Sequence, residues 1–158
     1  MLRPALLLCL LPLLAACDGG SPDSTCTTNG GSVTATVDGR PFTATCITAA
    51  RTDDGVGFVA DDRSDITAGL FPHRELSFDM PSTVGTYRLG GQASALAYFS
   101  LVPPNSAPAR FAADSGSVVI ESVSGRRYRG RFTFRTGANT SNLHTVSQGL
   151  FDVTLQGN

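Results

Sequence analysis

From Ser32 onward, apolar residues recur at every second position in short runs, and no stretch sustains a 3.6-residue apolar period. Only extended backbone puts residues i and i+2 on one face, so this pattern admits strands and excludes a helical bundle. Ser32-Val-Thr-Ala-Thr-Val37 alternates strictly and runs into Asp38-Gly39, a pair suited to a two-residue hairpin turn. Such a turn sets Val37 opposite Arg40, Ala35 opposite Phe42 and Val33 opposite Ala44, with one apolar row on one face.

The same rhythm predicts strands over residues 32–37, 41–49, 56–60, 65–71, 75–79, 85–89, 95–101, 117–123, 128–136 and 148–155. Asp54-Gly55 marks a second hairpin. About ten strands fill residues 32–158 and leave no room for a second domain. Short sequential connections favour a single antiparallel meander, packed as a β-sandwich or closed as a lipocalin-like barrel. Residues 102–116, rich in Pro and Ala at their start, carry no strand signal and read as a binding loop or a Pro-stiffened connection.

The first sixteen residues do not share this pattern. One positive charge, Arg3, precedes the apolar run 5–14, which is too short to span a bilayer and is broken by Pro12. A charged start, a short apolar stretch and small terminal residues describe a secretory signal over residues 1–16. Its end, Leu14-Ala15-Ala16-Cys17, resembles the lipobox of bacterial lipoproteins, in which the Cys thiol takes the lipid and the small residues admit the peptidase. Residues 17–31, Cys17 followed by DGGSPDSTCTTNGG, then read as a lipidated flexible tether. The expected partner is therefore a membrane, reached through the lipid on Cys17, with the domain outside the cytoplasm; inner and outer membrane both remain open. An oxidising compartment permits a bridge between Cys26 and Cys46, the alternative being a buried free Cys46.

Charge narrows the function further. The chain carries 12 basic and 13 acidic side chains, and every basic one is Arg. A net charge of −1 removes the footprint of a nucleic-acid binder. Arg127, Arg129, Arg131 and Arg135 share one face of a predicted strand, with Tyr128, Gly130, Phe132 and Phe134 on the other. They read either as an anion-binding face or as a solvated one. Val118, Ile120 and Ser122 are expected inward, and Val119, Glu121 and Val123 outward. A three-residue loop at Ser124-Gly125-Arg126 would set Glu121 opposite Arg129.

Little else in the sequence points to chemistry. Asp53, Asp54, Asp61, Asp62 and Asp65 are close in sequence, but a strand separates the first two from the rest by about 20 Å, too far to share one ion. They read as turn residues, and no metal or cofactor is implied. His73 and His144 lack the spacing of a zinc site, and no nucleophile motif is present. The absence of Trp disfavours an aromatic carbohydrate platform.

Five segments recur in a familiar order: residues 33–42 (VTATVDGRPF), 84–90 (VGTYRLG), 115–120 (SGSVVI), 128–134 (YRGRFTF) and 145–153 (TVSQGLFDV). In this the chain resembles a family of small bacterial lipoproteins catalogued as domain of unknown function 6252. One departure is Ser147-Gln148, where such members more often place an Asn before Gly149. The resemblance implies the fold and the anchor and brings no activity. Gly85, Gly130 and Gly149, in or beside strands, are expected at bulges or close approaches. The expectation is a lipid-anchored, non-enzymatic binding or interaction domain, with a calyx ligand conceivable if a barrel closes. Its rivals are an adaptor presenting the Arg face and a hydrolase built on His73 or His144, which would need an Asp or Ser beside it in a cleft.

Overall fold

A computed structural model describes residues 31–63, 72–104, 106–137 and 142–156. These residues form ten strands: β1 (Gly31–Val37), β2 (Arg40–Thr43), β3 (Cys46–Arg51), β4 (Val56–Asp61) and β5 (His73–Met80), then β6 (Gly85–Leu89), β7 (Leu96–Val102), β8 (Ala109–Ser124), β9 (Arg127–Thr136) and β10 (His144–Thr154). The predicted strand 65–71 lies outside the described residues. All strand pairings are antiparallel, in the order β2-β1-β10-β9-β8-β7-β5-β4-β3, with β6 beside β8. The chain is thus an all-β meander curled into a half-barrel, with its first and last strands paired.

The first hairpin has the expected register, Val37↔Arg40 and Ala35↔Phe42. Asp38 and Gly39 both adopt positive φ, 50° and 76°, as a type I′ turn requires. Residues 41–49, however, do not form one strand. Ala44 N–H donates to Val33 of β1, whereas Thr45 N–H donates to Asp61 of β4. In one peptide step the chain leaves one edge of the sheet and joins the other, so β2 and β3 meet at the seam. Near the far end of the seam, Gln156 N–H donates to Ala49 of β3.

Inward positions supply one continuous core. Phe58 and Phe78 stack with ring centroids 4.8 Å apart, and Phe78 lies 4.6 Å from Phe132. Phe151 approaches Phe58 at 5.4 Å and Phe132 at 6.5 Å. These rings fill the space between the two halves of the sheet, so no calyx exists where they meet. Gly130 and Gly149 make that packing possible. A Cβ on Gly130 would lie 2.6 Å from Phe151 and closer still to the Val119 carbonyl, and one on Gly149 would overlap the edge of the Phe132 ring.

Three expectations are corrected. First, β8 begins at Ala109, inside the stretch read as strandless. Its first half presents only Phe111 as a large inward residue, so its alternation is quiet, and pairing with β7 fixes it instead. Second, β10 begins at His144 because a bulge between Val146 and Gly149 shifts the inward parity and hides the early half. Gln148 takes φ +52° there. Third, the β8–β9 turn has two residues, since Ser124 pairs with Arg127, and a bulge between Ile120 and Ser122 lifts Glu121 out of the ladder. Val123 therefore packs on the core and Ser122 faces out, the reverse of the simple alternation.

Candidate functional site

The β1–β2 turn, the starts of β5, β8 and β10, and the ends of β4, β7 and β9 gather at one end of the half-barrel. Asp38 sits at the tip of the first hairpin, and its position is fixed from β10. Its N–H donates to the Thr145 carbonyl at 2.9 Å. Its Oδ1 accepts the Thr145 N–H at 2.8 Å, and its Oδ2 lies 2.7 Å from His144 Nδ1. The His144 ring in turn packs 4.8 Å from Phe99 and 4.6 Å from Phe111. Sequence separation hid this pair. Its one signal was that a closing meander brings its first hairpin beside its last strand.

Burial opposes ionisation of Asp38, but the hydrogen bonds from His144 and Thr145, with the charges of His144 and Arg40, outweigh it. The carboxyl is held below its ordinary value. A lowered folded value means that the unfolded chain takes up the proton first as the pH falls, so the stabilisation is complete above about pH 4 and lost below it. Asp38→Asn is expected to cost about 0.5–1 kcal/mol at neutral pH, a modest figure because the carboxylate is partly exposed. Urea melts of both proteins from pH 7 to pH 3 check this: the gap between them should close toward the acid end.

Beside this pair lies a cleft of about 710 Å³, lined by Val37, Asp38, Arg40, Pro41, Arg74, Phe99, Leu101 and His144. Arg74 spans the seam. Its Nε donates to Asp62 Oδ2 at 2.6 Å and its Nη2 to the Pro41 carbonyl at 2.8 Å, while its guanidinium lies 5.5 Å from the Phe42 ring centre. On the other side of Arg74 and Leu101, a second cleft of about 560 Å³ is bordered by Pro72, Val102, Pro103 and Ala109.

His73 also stands against a carboxylate, with Nε2 3.4 Å from Asp61 Oδ2. Asp61 is buried and also serves Arg63, whose backbone N–H donates to Oδ1 at 2.8 Å. The Arg63 Nε lies 2.6 Å from Oδ2, but its direction makes that contact ionic and not a hydrogen bond. Asp61 and Asp62 thus organise the end of β4, whereas Asp53 and Asp54 lie in the turn at its start. Asp65 lies outside the described residues.

The Arg face is present as read, with Arg127, Arg129, Arg131 and Arg135 exposed along β9. Its charges are mostly answered. Arg127 reaches Asp152 at 2.6 and 2.7 Å, and Arg129 reaches it at 2.9 Å. Hydrogen bonding from Arg127 holds Asp152 below its ordinary value despite partial burial. Arg131 pairs with Glu121, where Arg129 had been expected to. Cys46 is buried at the start of β3; Leu14, Ala15, Ala16, Cys17 and Cys26 lie outside the described residues.

Fold and site together define a filled antiparallel half-barrel with two clefts at one end. The family model for a domain of unknown function, DUF6252, matches residues 29–153, and the chain belongs to that family. No curated protein and no solved structure matches it.

Proposed function

We propose that this protein is a lipid-anchored lipoprotein of the bacterial cell envelope whose half-barrel is a non-enzymatic binding or interaction module. The anchor rests on Leu14-Ala15-Ala16-Cys17 and the Gly/Ser/Thr-rich stretch behind it. The binding role is supported by one observation above all: the core is filled, while the end bearing Asp38 and His144 stays open as clefts. A Cys26–Cys46 bridge would tie the tether to β3 beside the seam. β1 runs from Gly31 toward the clefts, so Gly31 itself lies at the end of the domain opposite them.

A hydrolase reading draws on Asp38–His144, a carboxylate-oriented imidazole in a cleft. The residues lining that cleft offer no hydroxyl or thiol nucleophile, so binding is the better reading. An adaptor reading draws on the Arg face and is weakened by Asp152 and Glu121, which pair with three of its Arg side chains.

Expression in a Gram-negative host, with intact-mass analysis and detergent phase partitioning, tests the proposal against Cys17→Ala. The wild type should gain a diacylglyceryl-type mass and enter the detergent phase almost completely, and the variant should do neither. Soluble, unmodified wild type would overturn the anchor. Alkylation before and after reduction, read on the same spectra, should block Cys26 and Cys46 only after reduction.

A further inference from the structure

At the open end, each carboxylate oxygen of Asp38 and Asp62 already has a partner, while guanidinium donors are left over. Asp38 spends one oxygen on Thr145 N–H and the other on His144. Asp62 spends both on Arg74, one on its backbone N–H at 2.6 Å and one on its Nε. Arg74 commits only Nε–H and one Nη2–H, so three of its five N–H donors have no partner among the described residues. Those donors belong to a guanidinium already held in place by Asp62, Pro41 and Phe42, which lowers the ordering cost of a bound anion. Arg40, across the same cleft, is exposed and has no hydrogen bond or ion pair among the described residues. Between them lie Val37, Pro41, Phe99 and Leu101, and beyond Leu101 the second cleft is bordered by Pro72, Val102, Pro103 and Ala109, with Asp62 and His73 also in its wall.

From this we infer that the open end binds a single-chain amphiphilic anion. Its carboxylate or phosphate head sits on Arg40 and Arg74, and its alkyl chain crosses Leu101 toward Pro72, Pro103 and Ala109. Guanidinium groups suit such heads because their paired N–H donors match two oxygens at once. The apolar strip makes chain length count, since each buried CH₂ tightens binding about fourfold. The inference deepens the binding-module reading by naming the site and the ligand class, and it stands apart from lipidation.

The test uses the full chain carrying Cys17→Ala, titrated calorimetrically with octanoate and octyl phosphate. Octanol and octyltrimethylammonium serve as neutral and cationic counterparts of equal length. Octanoate and octyl phosphate should bind with one site, and the tighter of the two identifies the preferred head. Octanol should bind at least tenfold more weakly, and octyltrimethylammonium not at all. Hexanoate, two CH₂ shorter, should bind about fifteenfold more weakly than octanoate. Arg40→Gln, at an exposed position whose side chain makes no hydrogen bond or ion pair among the described residues, should weaken octanoate about tenfold, and Leu101→Asn should flatten the dependence on chain length. Equal binding of all four octyl compounds, no binding by either anion, or an Arg40→Gln titration that overlays the parent would each overturn the site. None of these outcomes touches the anchor, which fails only if Cys17 carries no lipid.

Discussion

Phe78→Ala is expected to lower the unfolding free energy by about 3–5 kcal/mol, a large share of what a domain of this size holds. Phe78 is 4 % exposed and stands inward from β5. It stacks on Phe58 of β4 and also meets Phe132 and Phe134 of β9, at 4.6 and 5.9 Å. One ring therefore joins the two halves of the curled sheet. Its removal loses the transfer energy, leaves a cavity bounded by strands that cannot all collapse, and ends three ring–ring contacts. Urea melts should show a lower midpoint with an unchanged slope, and the thermal midpoint should drop by on the order of 10–20 °C. Phe78→Leu, which refills most of the volume, should cost clearly less. A loss below about 1 kcal/mol for Phe78→Ala would show that the interior is not close-packed there.

The second large effect comes from adding atoms. Gly130→Ala places a methyl group where Phe151 and the Val119 carbonyl already stand. Gly130 lies on the inward row of β9, opposite Phe151 of β10 and Ile120 of β8. Its φ is not among the positive ones, so the strain is steric and not conformational. A side chain such as Phe151 can swing aside, but a ladder carbonyl moves only if β8 and β9 spread. The expected loss is about 1–3 kcal/mol, toward the upper end because backbone must move. Combining Gly130→Ala with Phe151→Leu should recover only part of it, a coupling that a double-mutant cycle measures. Full recovery would place the whole clash on the ring and leave none on the carbonyl.

Local patterns were legible wherever alternation ran unbroken. The first hairpin's register, the bounds of β6 and the two faces of β9 all follow from residues within a few positions of one another. What stayed hidden depends on irregularity or on distance along the chain. The bulges near Glu121 and Gln148 each shift parity by one, which turns a regular two-residue rhythm into noise for any reading that assumes it continues. The break at Ala44–Thr45, where the chain bends and changes partners, has no Gly or Pro to mark it. The candidate site was the least legible part. Asp38 read correctly as a turn residue, whereas His144 fell outside every predicted strand although it opens β10. Their meeting depends on pairing the first strand with the last. The surplus of donors at the open end emerges only once each carboxylate oxygen has been assigned a partner.

The pairing of β1 with β10 also sets the order of events as the chain is made. A polypeptide that emerges with its N-terminus first exposes the β1–β2 hairpin long before residues 144–154 exist to cover its other edge. Two-stranded hairpins alone are marginal in water, so the β1–β2 hairpin has no stable partner on its other edge until the end of the chain arrives. Contacts between such distant segments also make folding slow. A domain wired this way closes its sheet only when its last strand is in place.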